Sequence, residues 1–276
     1  MRIGINMPFM QRDGTPPTVE QVFARARLIE DVGFDGIWLG DLISRAATTR
    51  PDPLMWLLLA ASATKRIEVG TSILQVPLRN PVELANRLIT MHALTGGRFN
   101  AGLGAGSTRA DYDACGVEYE ARFRLLNEGL PLIRSLVKGE QVGAANLHPW
   151  PATAGGPPML IGAWESGIWV KRAAQQYDGW IASARSPFKN LAEGNKRFRD
   201  FGGSRAMVAT IPLDLSKPEA PFSEDEEFSL VCGPKSASER LHRLEELGFD
   251  DALIVRMNHT EADLPEEKLR EIRALI

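Results

Sequence analysis

The sequence predicts an α/β protein, a single (β/α)8 barrel of the TIM type spanning residues 1–276, and three observations carry that expectation. Short β-like runs alternate with helical patterns of roughly 10 to 20 residues, as a parallel sheet built from βα units requires. The junction Gly33-Phe34-Asp35-Gly36-Ile37-Trp38 recurs as Gly248-Phe249-Asp250-Asp251-Ala252-Leu253, and more faintly as Tyr177-Asp178-Gly179-Trp180-Ile181. Each copy follows a helical pattern and opens a strand, so one helix-turn-strand unit repeats without the reversal of winding that a doubly wound sheet needs. The length of 276 residues with 44% hydrophobic content suits one large core, since single barrels commonly run to about 250 residues.

The expected strands, in order, are 2–8, 36–41, 67–73, 98–106, 158–164, 179–183, 206–212 and 251–257. Between the first two, Thr18 and Gln21 form a capping box, and Val22, Phe23, Ala26 and Ile29 make an apolar stripe at helical spacing. After the fourth strand, Phe123, Leu126, Leu130, Ile133 and Val137 recur at steps of three and four, with Pro131 expected to bend that helix. Ser236 and Glu239 suggest a capping box for the seventh helix, which ends at Gly248. Two stretches interrupt the alternation: a Gly- and Pro-rich loop at 139–157 and an acidic one at 214–235. Both are expected over the catalytic face, where loops of such length are commonly functional.

Composition excludes several function classes. The 32 basic and 35 acidic residues give a net charge of −3 and are dispersed along the chain, which argues against a nucleic-acid partner. Cys115 and Cys232 are far apart and outside any CxxC or Cys/His spacing, so neither a disulfide framework nor a metal site is expected. The start reads as a strand rather than a signal peptide, and the most apolar stretch, 54–63, is too short to span a bilayer. A cytoplasmic protein with no membrane partner is the expectation.

The chemistry concentrates in 70–85, beginning Gly70-Thr71-Ser72-Ile73-Leu74-Gln75-Val76-Pro77, and in 95–106, Thr95-Gly96-Gly97-Arg98-Phe99-Asn100-Ala101-Gly102-Leu103-Gly104-Ala105-Gly106. With 33–41, 114–123, 174–180 and 233–257, these segments resemble the luciferase-like monooxygenase family. The resemblance implies a luciferase-like barrel that binds reduced FMN, or the deazaflavin F420, at the C-terminal ends of its strands. FMN members of that family oxygenate a substrate with O2, and F420 members move a hydride to or from it. It also implies a cis peptide between Ser72 and Ile73 beneath the middle of the flavin ring, and a phosphate site at Glu165-Ser166-Gly167, because bacterial luciferase places a similar Glu-Ser pair there. Many F420 members carry a glycine-rich turn with proline at that place, which this chain lacks.

Read residue by residue, Gly102-x-Gly104-x-Gly106 falls one position short of a dinucleotide fingerprint. It fits close packing of a barrel strand and, equally, room for a flat ring near Gly104 and Gly106. Gly162 and Trp164 end the fifth strand, where Trp164 would wall a ring site, while core packing is the default for Trp38, Trp56 and Trp180. The run Glu165-Ser166-Gly167 leads into a helix, and a helix N-terminus offers free N–H groups to an anion; a plain Ser166 cap is the alternative. Arg109 either holds a phosphate or anionic substrate or is a solvated loop arginine. Asp41 ends the second strand, where barrels place catalytic groups, and it is also suited to cap the next loop. Leu42 follows it where many family members carry His, so the usual proton-transfer residue is missing. His92 and His242 lie in helical patterns, whereas His148 and His259 sit in loops expected at the catalytic face. Apolar walls from Leu42, Ile73 and Trp164 would exclude water, as oxygenase chemistry requires.

Three functions follow as expectations. The first is an FMNH2- and O2-dependent monooxygenase acting on a small organic substrate, supplied by a separate flavin reductase. The second is an F420-dependent dehydrogenase or reductase, and the third a non-catalytic flavin-binding protein. A homodimer is expected through 54–59, Leu-Met-Trp-Leu-Leu-Leu, which is apolar all round.

Overall fold

A computed structural model of the chain describes residues 1–7, 14–44, 50–165, 167–256 and 265–276. Eight parallel strands close into a barrel: β1 (Arg2–Asn6), β2 (Gly36–Leu39), β3 (Glu68–Thr71), β5 (Phe99–Gly104), β6 (Met159–Gly162), β7 (Gly179–Ser183), β8 (Ala206–Leu213) and β9 (Asp251–Arg256). β4 (Leu74–Gln75) continues β3 after a break and pairs with the end of β5. Closure rests on β3 pairing with both β2 and β5, and on β1 pairing with β9. The ring is wrapped by α1 (Val19–Val32), α2 (Pro53–Ala63), α3 (Pro81–Leu94), α4 (Arg109–Ala114), α5 (Arg122–Val137), α6 (Ile168–Gln176), α7 (Phe188–Asp200), α8 (Pro234–Glu246) and α9 (Glu266–Arg273). None of the described helices is long and apolar enough to cross a membrane.

The recurring aspartate plays one part in all three copies of the echo. Asp35 takes the N–H of Ile3 at 2.8 Å, Asp178 that of Met159 at 2.8 Å, and Asp250 that of Ala206 at 2.6 Å. In each case the aspartate's own N–H returns to the carbonyl of the same residue. A strand start otherwise leaves that donor unpaired, so the side chain completes the ladder at the N-terminal rim. Glu30 does the same for three successive N–H groups, Lys65, Arg66 and Ile67, ahead of β3. Gly33 and Gly248, both left-handed, end the helices that deliver these turns.

Trp38 fills the barrel interior with Leu160, Ile181, Met207, Ala209 and Leu253. It fits because β1, β2 and β3 present glycine around it: a methyl group on Gly4, Gly36 or Gly70 would come within 2.7, 2.4 or 2.3 Å of the indole. Below it, the strand starts carry a charged plug. Arg205 donates to Asp251 at 2.7 and 2.8 Å, to Glu68 at 3.0 Å and to Asn100 at 3.2 Å, and Arg2 also meets Glu68.

Several expectations need correction. Strands end early at the C-terminal rim: β2 stops at Leu39 and β5 at Gly104, because the rim residues turn into a side-chain network described below. The expected strand ends at Pro8 and Met257 lie outside the described residues. The Thr18 capping box forms as expected, but the seventh helix starts earlier than Ser236. Gly233 is its N-cap, Pro234 its first residue, and Glu219 from the acidic loop accepts the N–H groups of Lys235 and Ser236. Pro131 lies inside α5 without ending it, and Phe123 is exposed while Leu126, Leu130, Ile133 and Val137 are buried. The loop 139–157 runs from the end of α5 to the start of β6, with Pro149 against Gly139 and Gly156 against Val137. A helix-to-strand loop in a barrel lies at the N-terminal face, so this one does not cover the catalytic end.

Candidate functional site

At the C-terminal end of the strands, β3, β5 and β6 form a smooth shelf. The Ser72–Ile73 peptide is cis, as the sequence led us to expect. The Ile73 side chain lies between two glycines: a methyl group on Gly104 would sit 3.2 Å from its Cγ1, and one on Gly162 would sit 2.5 Å from its Cγ2. A side chain at either glycine would crowd Ile73, so glycine at both positions lets that side chain pack against the ends of β5 and β6. Gly102 lies deeper, where a methyl group would meet the Thr71 carbonyl oxygen at 1.9 Å, and Gly106 is held against Gln75. The glycine triplet therefore serves close packing throughout, Gly102 against Thr71, Gly104 against Ile73 and Gly106 against Gln75.

Beside the shelf, the rim is tied by a buried polar network. Arg79 grips Asp41 with two hydrogen bonds, at 2.5 and 3.0 Å, the two side chains being 11% and 2% exposed. Asp41 also accepts the N–H of Gln75 at 2.9 Å and donates its own N–H to the Ile73 carbonyl at 3.2 Å. Gln75 donates to the Asp41 carbonyl and to Asp111, whose other oxygen holds the N–H groups of Ile43 and Ser44. On the far side of the shelf, Glu165 is buried against α7: a methyl group on Gly194 would lie 2.3 Å from its Cβ. Its Oε2 is buried without a hydrogen-bond partner among the described residues. Gly167 then starts α6, with no side chain of the described residues capping it.

A family model for luciferase-like monooxygenases matches residues 1–209. The chain belongs to the luciferase-like monooxygenase family. Among curated relatives it is 29% identical over 160 residues to 4-hydroxyprotoasukamycin monooxygenase of Streptomyces nodosus subsp. asukaensis, covering 54% of this chain and 43% of that protein. It is 33% identical over 120 residues to an F420-dependent glucose-6-phosphate dehydrogenase of Amycolatopsis mediterranei, covering 41% of this chain and 36% of the relative. The matched chain thus spans less than half the length of either relative. Among solved structures, a monooxygenase from Streptomyces bottropensis superposes with a TM-score of 0.79 at 16% identity, covering 100% of this chain and 97% of that one. The oxygenating constituent of 3,6-diketocamphane monooxygenase from Pseudomonas putida, in complex with FMN, gives 0.75 at 16% identity, covering 99% and 96%. At such identity these two establish the fold alone.

Within this luciferase-like barrel, the residues singled out from the sequence separate into three groups. Ser72, Ile73, Gly104 and Gly162 come together at the shelf, with Glu165 and Gly167 beside it and Gly106 at its edge. Trp164 is 54% exposed at the same rim, where it can wall a ligand, whereas Trp38 and Trp180 are core. Asp41 is adjacent but fully engaged by Arg79, which makes it a tie for the rim rather than a free carboxylate. Arg109 stands outside, paired with Glu120 and lying 4.4 Å over the Tyr119 ring, with both members of the ion pair solvated. His148 is exposed on the loop at the N-terminal face, across the barrel from the shelf. Ser166 and His259 lie outside the described residues.

The sequence reading missed Gln75, Arg79 and Asp111. For Gln75 and Arg79 the signal lay in the polar residues of the run Gln75-Val76-Pro77-Leu78-Arg79, just past the predicted cis bond. Tyr112 was missed as well. Burial pushes its hydroxyl up to about 12, so it stays protonated and donates to the Ala105 carbonyl, pinning α4 to the end of β5.

Proposed function

We propose that this chain, acting as one luciferase-like barrel domain over 1–276, binds reduced FMN on the shelf and oxygenates a small organic substrate with O2. The observation that supports this reading is the apolar group at the strand ends, where the Ile73 side chain is seated against Gly104 and Gly162, a surface suited to a planar ring and to excluding water around it. When bound, the flavin supplies the redox chemistry; the chain orients it, shields it and holds its phosphate. The phosphate donors in this reading are the backbone N–H groups of Glu165, Ser166 and Gly167 together with the Ser166 hydroxyl. Glu165 is buried with its Cβ against α7, and this reading has its carboxylate turned away from that anion, which it would otherwise repel. FMN is favoured over F420 because the Glu165-Ser166 pair resembles the one bacterial luciferase places at the FMN phosphate, while the glycine-rich turn with proline of many F420 members is lacking.

One relative is named the oxygenase component of a flavin-dependent trigonelline monooxygenase, which supports a separate reductase as partner here. Oxygen uptake with FMNH2 and a substrate panel, measured against F420 reduction with the same panel, decides between oxygenation and hydride transfer. A second reading, a non-catalytic flavin-binding protein, draws on the engagement of Asp41 and the distance of His148, and inertness in both assays would favour it. For the phosphate, Ser166→Ala is expected to weaken FMN binding roughly tenfold or more, since hydrogen bonds to charged groups contribute about 1.5–3 kcal/mol. Riboflavin, which has no phosphate, should bind the variant as it binds the parent. Equal losses for both ligands would remove the assignment.

The active form in this reading is a cytoplasmic homodimer. On α2, Leu54 and Leu57 are buried in the chain's own core, while Met55 is 70% exposed and Trp56, Leu58 and Leu59 are only partly covered. An outer helix face this apolar calls for a second copy. Light scattering at micromolar concentration should give twice the mass of 30.4 kDa; a monomeric mass, or a dimer unaffected by Met55→Glu, would discard this arrangement.

A further inference from the structure

β8 contains a residue that the ladder does not need. Its register with β9 runs Val208↔Ala252 and then resumes at Ile211↔Ile254, so Ala209 and Thr210 together face the single residue Leu253. This is a β-bulge, uncommon between parallel strands. Thr210 takes φ +60°, a conformation that β-branched residues rarely adopt and that persists only where the surroundings enforce it. Glycine or asparagine would be at ease there.

The bulge resets which way the strand faces. Met207 and Ala209 point into the barrel with Trp38 and Leu253, while Val208, Ile211 and Leu213 belong to the core between barrel and helices. With that outer side covered, Thr210, which is exposed, opens into the barrel mouth. Its hydroxyl donates to the Ala209 carbonyl at 2.6 Å. The single proton is thereby committed, and the oxygen offers only lone pairs to the mouth. Across the ladder, Ser183 pairs with Ala209 and points inward by alternation with Ile181. Its oxygen accepts the N–H of Arg185 at 3.3 Å, which leaves its own proton free to donate. Adjacent strands thus present one acceptor and one donor at the same barrel mouth as Ile73, Gly104 and Gly162, β7 being the neighbour of β6.

We infer that Thr210 and Ser183 form the polar anchor of the substrate site, and that the group they take is a hydroxyl. A small alcohol or phenol donates its O–H to Thr210 Oγ1 and accepts from Ser183 Oγ, with its hydrocarbon body against the shelf. This deepens the oxygenase reading and rests on it for the identity of the site. Thr210 is a specificity residue, and no role in proton transfer is assigned to it.

Calorimetric titration of the FMN-loaded protein with cyclohexanol, p-cresol and their methyl ethers tests the anchor. The parent protein should bind the hydroxyl compounds up to about tenfold more tightly than the ethers. Thr210→Val should abolish that preference and Thr210→Ser should retain it. Thr210→Gly should abolish it while raising Tm, because glycine occupies φ +60° without strain; a merely structural threonine would lower Tm on removal. FMN affinity, followed by fluorescence quenching, should be the same in all four proteins. Equal binding of alcohols and ethers by the parent, or a preference that survives in Thr210→Val, overturns the anchor. Failure of the parent to bind FMN would instead overturn the cofactor assignment, and the alcohol preference of the unloaded protein would still be measurable.

Discussion

Arg205→Met is expected to cost about 3–5 kcal/mol of folding stability, the usual consequence of removing one partner from a buried ion pair, with Arg2 left, among the described residues, as the one cation shared by Glu68 and Asp251. The guanidinium is 19% exposed and Asp251 only 4%, so solvent cannot replace the lost partner. A domain holds roughly 5–15 kcal/mol in total, which makes this one of the largest single losses available away from the shelf. Thermal or denaturant unfolding measures it. The double variant Arg205→Met/Asp251→Asn should recover part of the loss, because the buried charge at Asp251, left with Arg2 at 3.4 Å in place of the two Arg205 hydrogen bonds, is removed while Glu68 keeps Arg2. A single variant as stable as the parent would mean that the plug is not what closes the barrel base.

The same network sets an acid limit. Burial pushes the Glu68 carboxyl up, but the hydrogen bond from Arg2 and the charges of Arg205 and Arg2 outweigh it and hold the group below its ordinary value. A depressed folded value means that the stabilisation is fully present above the unfolded carboxylate range and is lost as pH falls through the folded value. The gap in Tm between parent and Arg205→Met should therefore be widest near neutrality and narrow below about pH 4. Arg205 itself is held above its ordinary value, burial being outweighed by the Asp251 hydrogen bonds and the Asp251 and Glu68 charges. Its own titration lies too far into the alkaline range to contribute to that window.

The barrel was legible because its signals are local. A helix that ends in glycine, an aspartate two residues on and a short apolar run encode one rim turn, and the chain repeats that turn, in its full or fainter form, at Asp35, Asp178 and Asp250. Contacts at the catalytic rim are not local. Arg79 and Asp41 are 38 residues apart, and Gln75 and Asp111 are 36 apart, so nothing in either neighbourhood announces the partner. The same network explains why β2 was expected to reach Asp41 and stops at Leu39. His148 was assigned to the wrong face because loop length was weighed and loop direction was not: a helix-to-strand segment returns to the N-terminal end. Thr210 carried no signal at all, since a bulge is normally read from glycine and threonine is a common strand residue.

Asp41→Ala should be as damaging to stability as Arg205→Met, and for a related reason. It strands the Arg79 guanidinium in a site that is 11% exposed and leaves the Gln75 N–H without its acceptor, a combination worth about 3–5 kcal/mol. Sequence position alone made Asp41 a candidate acid or base, whereas its contacts give it a mechanical role. It ties β2 to the segment carrying Ile73 and, through Gln75 and Asp111, to the backbone of Ile43 and Ser44. The two roles separate in Asp41→Asn, which keeps the shape and hydrogen-bonding capacity while removing the charge. A tie predicts a lowered Tm, looser FMN binding and a pH profile of turnover with both limbs unchanged. An acid or base predicts loss of one limb with stability little altered. Arg79→Met should reproduce the Asp41→Ala phenotype, and the double variant should be less destabilised than the two single losses combined, because each removes the same bidentate pair. Loss of turnover in Asp41→Asn at full stability and full FMN affinity would return Asp41 to the chemistry.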